Sequence, residues 1–83
     1  MMKLKVLLFA GLREAAQASS IEVEIKTPAT ANDVVDEVAK RLPSAATLIR
    51  LSRLAIDQSY VADDAVVTAD AKEFALIPPV SGG

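Results

Sequence analysis

The chain has 83 residues, 52% hydrophobic and 24% charged, which fits one small globular domain and excludes a disordered chain, whose apolar content is too low to offset ordering entropy. It contains no cysteine and no histidine, which excludes disulfides, thiolate catalysis, iron–sulfur ligation and the usual zinc sites, and removes the commonest general acid–base residue. A net charge of −2, from 9 basic and 11 acidic residues without a long run of either sign, points away from nucleic acid and membrane surfaces; with no apolar stretch near a bilayer span, a cytoplasmic protein is expected.

Lys3 to Phe9 alternates at its start, is β-prone at its end and is bounded by Ala10-Gly11, the pattern of a first strand. Leu12 to Ala18 is rich in helix formers, with Leu12, Ala15 and Ala16 on one side, and is too short for more than two turns. Ile21 to Ile25 alternates strictly, three branched side chains against Glu22 and Glu24, and reads as a strand with one wet face. Thr27-Pro28-Ala29 breaks that pattern. Thr30 with Asp33 three residues later is a helix-start signature, and Val34, Val35, Val38, Ala39 and Leu42 form one apolar stripe until Pro43 ends the helix.

Ser44 is placed to cap a second short helix through Leu48 and Ile49. Leu54 to Ile56 reads as a strand, Asp57-Gln58 as a turn into Ser59 to Val61, and Asp63-Asp64 as a loop. Ala65 to Val67 is a short β run, Asp70-Ala71 a turn, and Glu73 to Ile77 the last strand. An initial hairpin, a helix and a return to the sheet let the last strand lie parallel to the first through a right-handed crossover. The expected fold is therefore α+β, a β-grasp, ubiquitin-like roll: a mixed sheet with one main covering helix, forming a single domain over residues 1–77.

Residues 78–83, Pro78-Pro79-Val80-Ser81-Gly82-Gly83, are expected to be a flexible, extended C-terminal tail, because two prolines lack the N–H that a ladder needs. Two of the chain's three glycines are its last two residues. At a usual frequency of about 7%, chance gives that ending roughly once in 200 sequences. A backbone without Cβ can thread a narrow channel and expose its terminal carboxylate. That carboxylate is unreactive until converted to a mixed anhydride such as an acyl-adenylate, and the chain has no phosphate-binding glycine motif, so another protein must use the ATP.

Val6 to Ala10 with Leu12-Arg13-Glu14, the Ile56-Asp57-Gln58 segment, and above all Ala75 to Gly83 resemble the small subunits of molybdopterin synthase (MoaD), of the ubiquitin-like, ThiS-type sulfur carriers. The likeness covers essentially the whole chain. Family members often carry Asn where Asp57 stands and Asp-Gly where Asp70-Ala71 stands. The resemblance implies that a MoeB-like adenylyltransferase activates Gly83, that sulfur replaces a carboxylate oxygen, and that the thiocarboxylate donates sulfur to cyclic pyranopterin monophosphate held by the large subunit, MoaE. It further implies a heterotetramer of two small and two large subunits, two charged carriers consumed per dithiolene, and a catalytic pocket in the large subunit; the small subunit alone is no enzyme and binds no cofactor or metal. A ThiS-like carrier of another pathway and a ubiquitin-like protein modifier share the fold and the Gly-Gly end. A plain binding module is the remaining alternative.

Alternation directs Leu4, Val6 and Leu8 inward, and Leu7 and Phe9 to the face without the helix, where Ala75 and Ile77 join them if Phe74 and Leu76 point in. An exposed apolar patch beside the tail marks an interaction surface. The alternative is that the short C-terminal segments fold over that face and bury it; Tyr60 either extends the patch or closes a core edge. The expected partner-binding residues are Phe9, Tyr60, Ile77, Pro78, Pro79, Val80 and Ser81, with Gly82 and Gly83 carrying the chemistry. Arg13 and Glu14 are most simply a solvated helix start, although their place in the family pattern suggests a partner contact. Asp33, Asp36 and Glu37 suit the positive end of the helix dipole rather than catalysis.

Overall fold

The computed structural model describes residues 1–79. In chain order these form β1 (Met2–Leu8), α1 (Ala10–Ala16), β2 (Ser20–Ile25), β3 (Ala29–Thr30), α2 (Ala31–Arg41), a 3-10 turn (Pro43–Ala45), α3 (Ala46–Leu51), β4 (Arg53–Ile56), β5 (Ser59–Tyr60), β6 (Val66–Val67) and β7 (Phe74–Ile77). Five strands make one mixed sheet in the order β2-β1-β7-β4-β5. β1 runs parallel to β7, with Leu7 opposite Ala75, and every other neighbouring pair in the sheet is antiparallel. This is the β-grasp arrangement that the element order implies, with α2 laid across one face.

Strict alternation builds the core. Leu4, Val6 and Leu8 of β1 and Val23 and Ile25 of β2 are buried against Val34 and Val38 of α2, with Leu54, Phe74 and Leu76 completing the layer from β4 and β7. α2 begins where expected, in a reciprocal cap: the Asp33 N–H donates to Thr30 Oγ1 at 3.3 Å and the Thr30 N–H donates to Asp33 Oδ2 at 2.8 Å. Asp36 and Glu37 have partners further along the chain: Arg50 of α3 donates to Asp36, and Arg41 donates to Glu37 one turn on.

Several local expectations are corrected. Phe9 is not the end of the first strand but the N-cap of α1, which starts at Ala10, so the Ala10-Gly11 pair lies inside the helix. Of the residues expected on the apolar side of α1, Leu12 is buried and Ala16 half-buried, whereas Ala15 is exposed. Ser44 does not cap α3: it lies in the 3-10 turn, and the N-cap position, Ala45, makes no side-chain bond. Ala29, read as the end of a break, and Thr30, read only as the helix start, pair antiparallel with Val67 and Val66 in a second, two-stranded sheet. Two residues per strand carry too little periodicity to be seen in sequence; the pairing is tied down by the Ala31 and Asn32 N–H groups donating to Ala65 and Asp63 carbonyls, each at 2.9 Å.

Candidate functional site

Because side chains alternate along a strand, the cross-strand pairs that face away from α2 can be followed as rows. Leu7, Ala75, Ala55 and Tyr60 lie opposite one another across β1, β7, β4 and β5. One step toward the tail, Ile77 faces Arg53, and the same parallel register brings Phe9 alongside Ile77. In the opposite direction Lys5 faces Glu22 and Lys3 faces Glu24, all exposed. The open face thus changes from charged to apolar along β1, and its apolar end is where β7 stops and Pro78 begins.

Small residues form the floor of that apolar end and large ones its walls. Ala55 and Ala75 are buried, yet neither belongs to the helix-side core; they line a groove with Phe9, Tyr60 and Ile77. Phe9 is 43% exposed and Tyr60 55%. No described segment folds over this face, so Tyr60 extends the patch and does not close the core. Phe9 and Ile77 also line a second hollow with Leu48, Pro78 and Pro79, so one apolar strip runs from Tyr60 across Ile77 to the tail root. Gly11 borders that hollow because of close approach: a Cβ there would lie 3.3 Å from Leu48 Cδ2.

Polar contacts fix the groove's edges. The Arg53 guanidinium stacks 4.5 Å from the centre of the Tyr60 ring. Asp57 and Gln58 form a two-residue hairpin turn between β4 and β5 with φ of 50° and 70°, the type I′ geometry that suits β-twist. Asp57 then reaches outside its turn: Oδ1 accepts from the N–H groups of Lys72 and Glu73, both at 2.8 Å, and its own N–H donates to the Glu73 carbonyl at 2.9 Å. Those three bonds fasten the residues that lead into β7, and so the start of the strand that carries the tail. An asparagine at 57 would keep the same Oδ1 acceptor. At Ser52, the one buried polar residue described, the hydroxyl donates to the Leu48 carbonyl at 2.7 Å where α3 turns into β4.

The expected site residues Phe9, Tyr60, Ile77, Pro78 and Pro79 therefore come together, whereas Val80, Ser81, Gly82 and Gly83 lie outside the described residues. Arg13 and Glu14 are exposed and line a separate polar hollow with Gln17 and Ser19. Sequence reasoning missed Ala55, Leu48, Arg53 and the bridging role of Asp57; register alone could have found Ala55, the others depend on tertiary placement. Among the described residues no group of His, Cys, Asp or Glu is arranged to hold a metal, and no helix is long and apolar enough to cross a membrane. Asp70, in the Ala69-Asp70 turn, has its carboxyl pKa lowered by the Thr68 hydroxyl and by its own backbone N–H.

The ThiS family matches residues 6–83, from the middle of β1 through the last glycine. The chain belongs to the ThiS family. It is 33% identical over 81 residues to a molybdopterin synthase sulfur carrier subunit of Arabidopsis thaliana, a match covering 98% of this chain and 83% of that protein. With the subunit of the same name from Chlamydomonas reinhardtii it shares 32% over 83 residues, covering 99% of this chain and 100% of the other. Among solved structures, SAMP1 from Haloferax volcanii matches with a TM-score of 0.79 and 27% identity over 98% of this chain and 99% of that one. The family match spans the groove, the tail root and the Gly-Gly end, and each of these relatives covers nearly the whole of this chain.

Proposed function

We propose that this chain is the sulfur carrier subunit of a molybdopterin synthase, with Gly83 as the group that carries sulfur. The observation that carries the reading is the full-length likeness to sulfur carrier subunits of that name, in a family match that runs through Gly82 and Gly83. The apolar strip ending at Pro78 and Pro79 supports it, since a carrier must dock on the proteins that load and unload its tail.

The chemistry follows from what the residues lack. With no cysteine or histidine, the chain supplies a carboxylate and leaves activation to a MoeB-like adenylyltransferase. There the Gly83 carboxylate attacks the α-phosphorus of ATP and displaces pyrophosphate; a sulfur nucleophile then attacks the acyl carbonyl and AMP leaves, giving the thiocarboxylate. In a MoaE-like large subunit that sulfur attacks an oxygen-bearing carbon of cyclic pyranopterin monophosphate and the carbon–oxygen bond breaks, the oxygen leaving with the electron pair; water then cleaves the acyl–sulfur bond, leaving sulfur on the pterin side and restoring the carboxylate. Gly82 and Gly83 let the reacting end pass a channel too narrow for a side chain. Phe9, Tyr60, Ile77, Pro78 and Pro79 dock the body, with Val80 and Ser81 as the link, in an assembly of two small and two large subunits. The chain itself binds no cofactor.

A second reading, a ubiquitin-like modifier joined to lysines, is favoured by the likeness to SAMP1, a small archaeal modifier protein. Reconstitution separates the two. The loaded chain mixed with the large subunit and cyclic pyranopterin monophosphate is expected to yield dithiolene product and unmodified chain. Isopeptide-linked conjugates in a lysate, without dithiolene product in the reconstituted mixture, would establish the modifier instead.

A further inference from the structure

Of the four arginines, Arg13 and Arg53 stand outside the ion pairs of the described residues, and of these two Arg53 is the one beside the apolar strip, Arg13 lining a separate hollow. Arg41 and Arg50 are paired with Glu37 and Asp36, whereas Arg53 has no carboxylate partner among the described residues. It is exposed, sits directly opposite Ile77 at the last described residue of β7, and is held over the Tyr60 ring. A guanidinium fixed on an aromatic face has lost little of its hydrogen-bonding capacity, because stacking uses its plane and leaves its edge donors free. On the same face Glu73 lines the groove at its end away from the tail, and further along β1 Lys3 and Lys5 oppose Glu24 and Glu22. The tail-root end of the strip thus carries one positive charge on its rim, preorganised on Tyr60 and with no carboxylate paired to it among the described residues.

We infer that Arg53 is a specificity-determining docking residue, and that the surface receiving the tail bears a carboxylate at the edge of an apolar patch, positioned to take the edge of the Arg53 guanidinium while Phe9 and Ile77 are covered. This rests on the sulfur carrier reading and names the chemistry of the partner's matching surface. A rim pair of this kind is screened by salt and adds mainly to association and selectivity, whereas the apolar contacts supply the bulk of the affinity. Tyr60 acts here twice: its ring lengthens the strip, and its face holds Arg53 in place. An arginine that merely packed on Tyr60 to stabilise β4 against β5 would leave binding independent of salt.

The test uses the full-length chain and the large subunit from the same organism, with dissociation constants measured at about 0.1 M and about 1 M salt, where the screening length falls from about 10 Å to about 3 Å. Arg53→Leu is expected to weaken binding by about twofold to fivefold at the lower salt, the size of a good exposed ion pair. At the higher salt it should converge on the unsubstituted chain. Arg53→Lys should recover part of the loss, and Arg53→Glu should bind more weakly than Arg53→Leu at low salt only. Thermal unfolding of each free variant establishes that the fold is retained. Equal binding by the unsubstituted chain and Arg53→Leu at 0.1 M, or a loss unchanged at 1 M, overturns the inference and leaves the carrier reading standing. Failure of the unsubstituted chain to bind the large subunit at all overturns both.

Discussion

Phe9 gives the sharpest test of the open face, because its two surfaces do different work. An aromatic side chain carries about 150–250 Å² of surface, so at 43% exposure about 65–105 Å² remains to be covered by a partner. At about 25 cal/mol per Å² that area is worth about 2 kcal/mol, or roughly thirtyfold in a dissociation constant. Phe9→Ala is expected to weaken large-subunit binding by that amount. Phe9→Lys should weaken it further, since an ammonium would enter the strip between Ile77 and Leu48. Neither should unfold the domain: the side chain lies on the face opposite the core, and a lysine stem can rest on Ala75 and Ile77 with its charge in water. Isothermal calorimetry against the large subunit, with thermal unfolding of each free variant, makes the comparison. Normal binding by both variants, or collapse of the free domain in both, refutes the assignment of this face to docking.

Removing the bridge in Asp57→Ala leaves the Lys72 and Glu73 N–H groups to water and should lower stability by about 1–2 kcal/mol, or roughly 4–16 °C in Tm for a domain of this size; Asp57→Asn, which keeps the acceptor, should lose less than half of that in a urea titration. Gln58→Gly relieves a positive φ of 70° and is expected to raise stability by about 0.5–1 kcal/mol in the same assay. NMR titration should place the Asp70 carboxyl below the ordinary aspartate value, and Thr68→Val should move it back up while the backbone bond keeps part of the depression. Because the folded value is the lower one, this contact favours the fold above the unfolded-state pKa, and its contribution is lost as pH falls through the folded value.

How much of this was legible in the residues differs by element. The α2 start was explicit in Thr30 and Asp33, and the alternation of Leu4, Val6 and Leu8 against Leu7 assigned both faces of β1 correctly, because a period of two leaves no freedom once one face is buried; Phe9 reaches the open face too, but as the N-cap of α1 and not as a strand residue. The same argument carried Ala75 and Ile77 to the open face. What escaped is non-local or local in ways composition does not encode. The pairing of Ala29–Thr30 with Val66–Val67 joins two segments far apart in sequence, neither long enough to show a pattern. Ala10 takes a left-handed φ of 50° at the start of α1, a conformation that sequence reasoning assigns to the adjacent Gly11 by default. Asp57 looked like an ordinary turn residue, and only the arrival of Lys72 and Glu73 beside it converts its carboxylate into a clasp. Arg53 reads as an unremarkable strand-edge charge until β5 folds Tyr60 under it.

The central claim is that Gly83 carries the sulfur. It is tested most directly by the intact mass of the chain after incubation with an adenylating enzyme, ATP and a sulfur donor. The account predicts a gain equal to one sulfur replacing one oxygen, located by fragmentation at Gly83 and absent when ATP is withheld. Deleting Gly83 draws the carboxylate back by up to about 3.6 Å, beyond the misplacement of about 1 Å at which reaction rates already fall steeply. The truncated chain should therefore remain unmodified while still binding the large subunit through the open face. An unchanged mass for the full-length chain under these conditions, or normal sulfur loading of the chain without Gly83, would contradict the account.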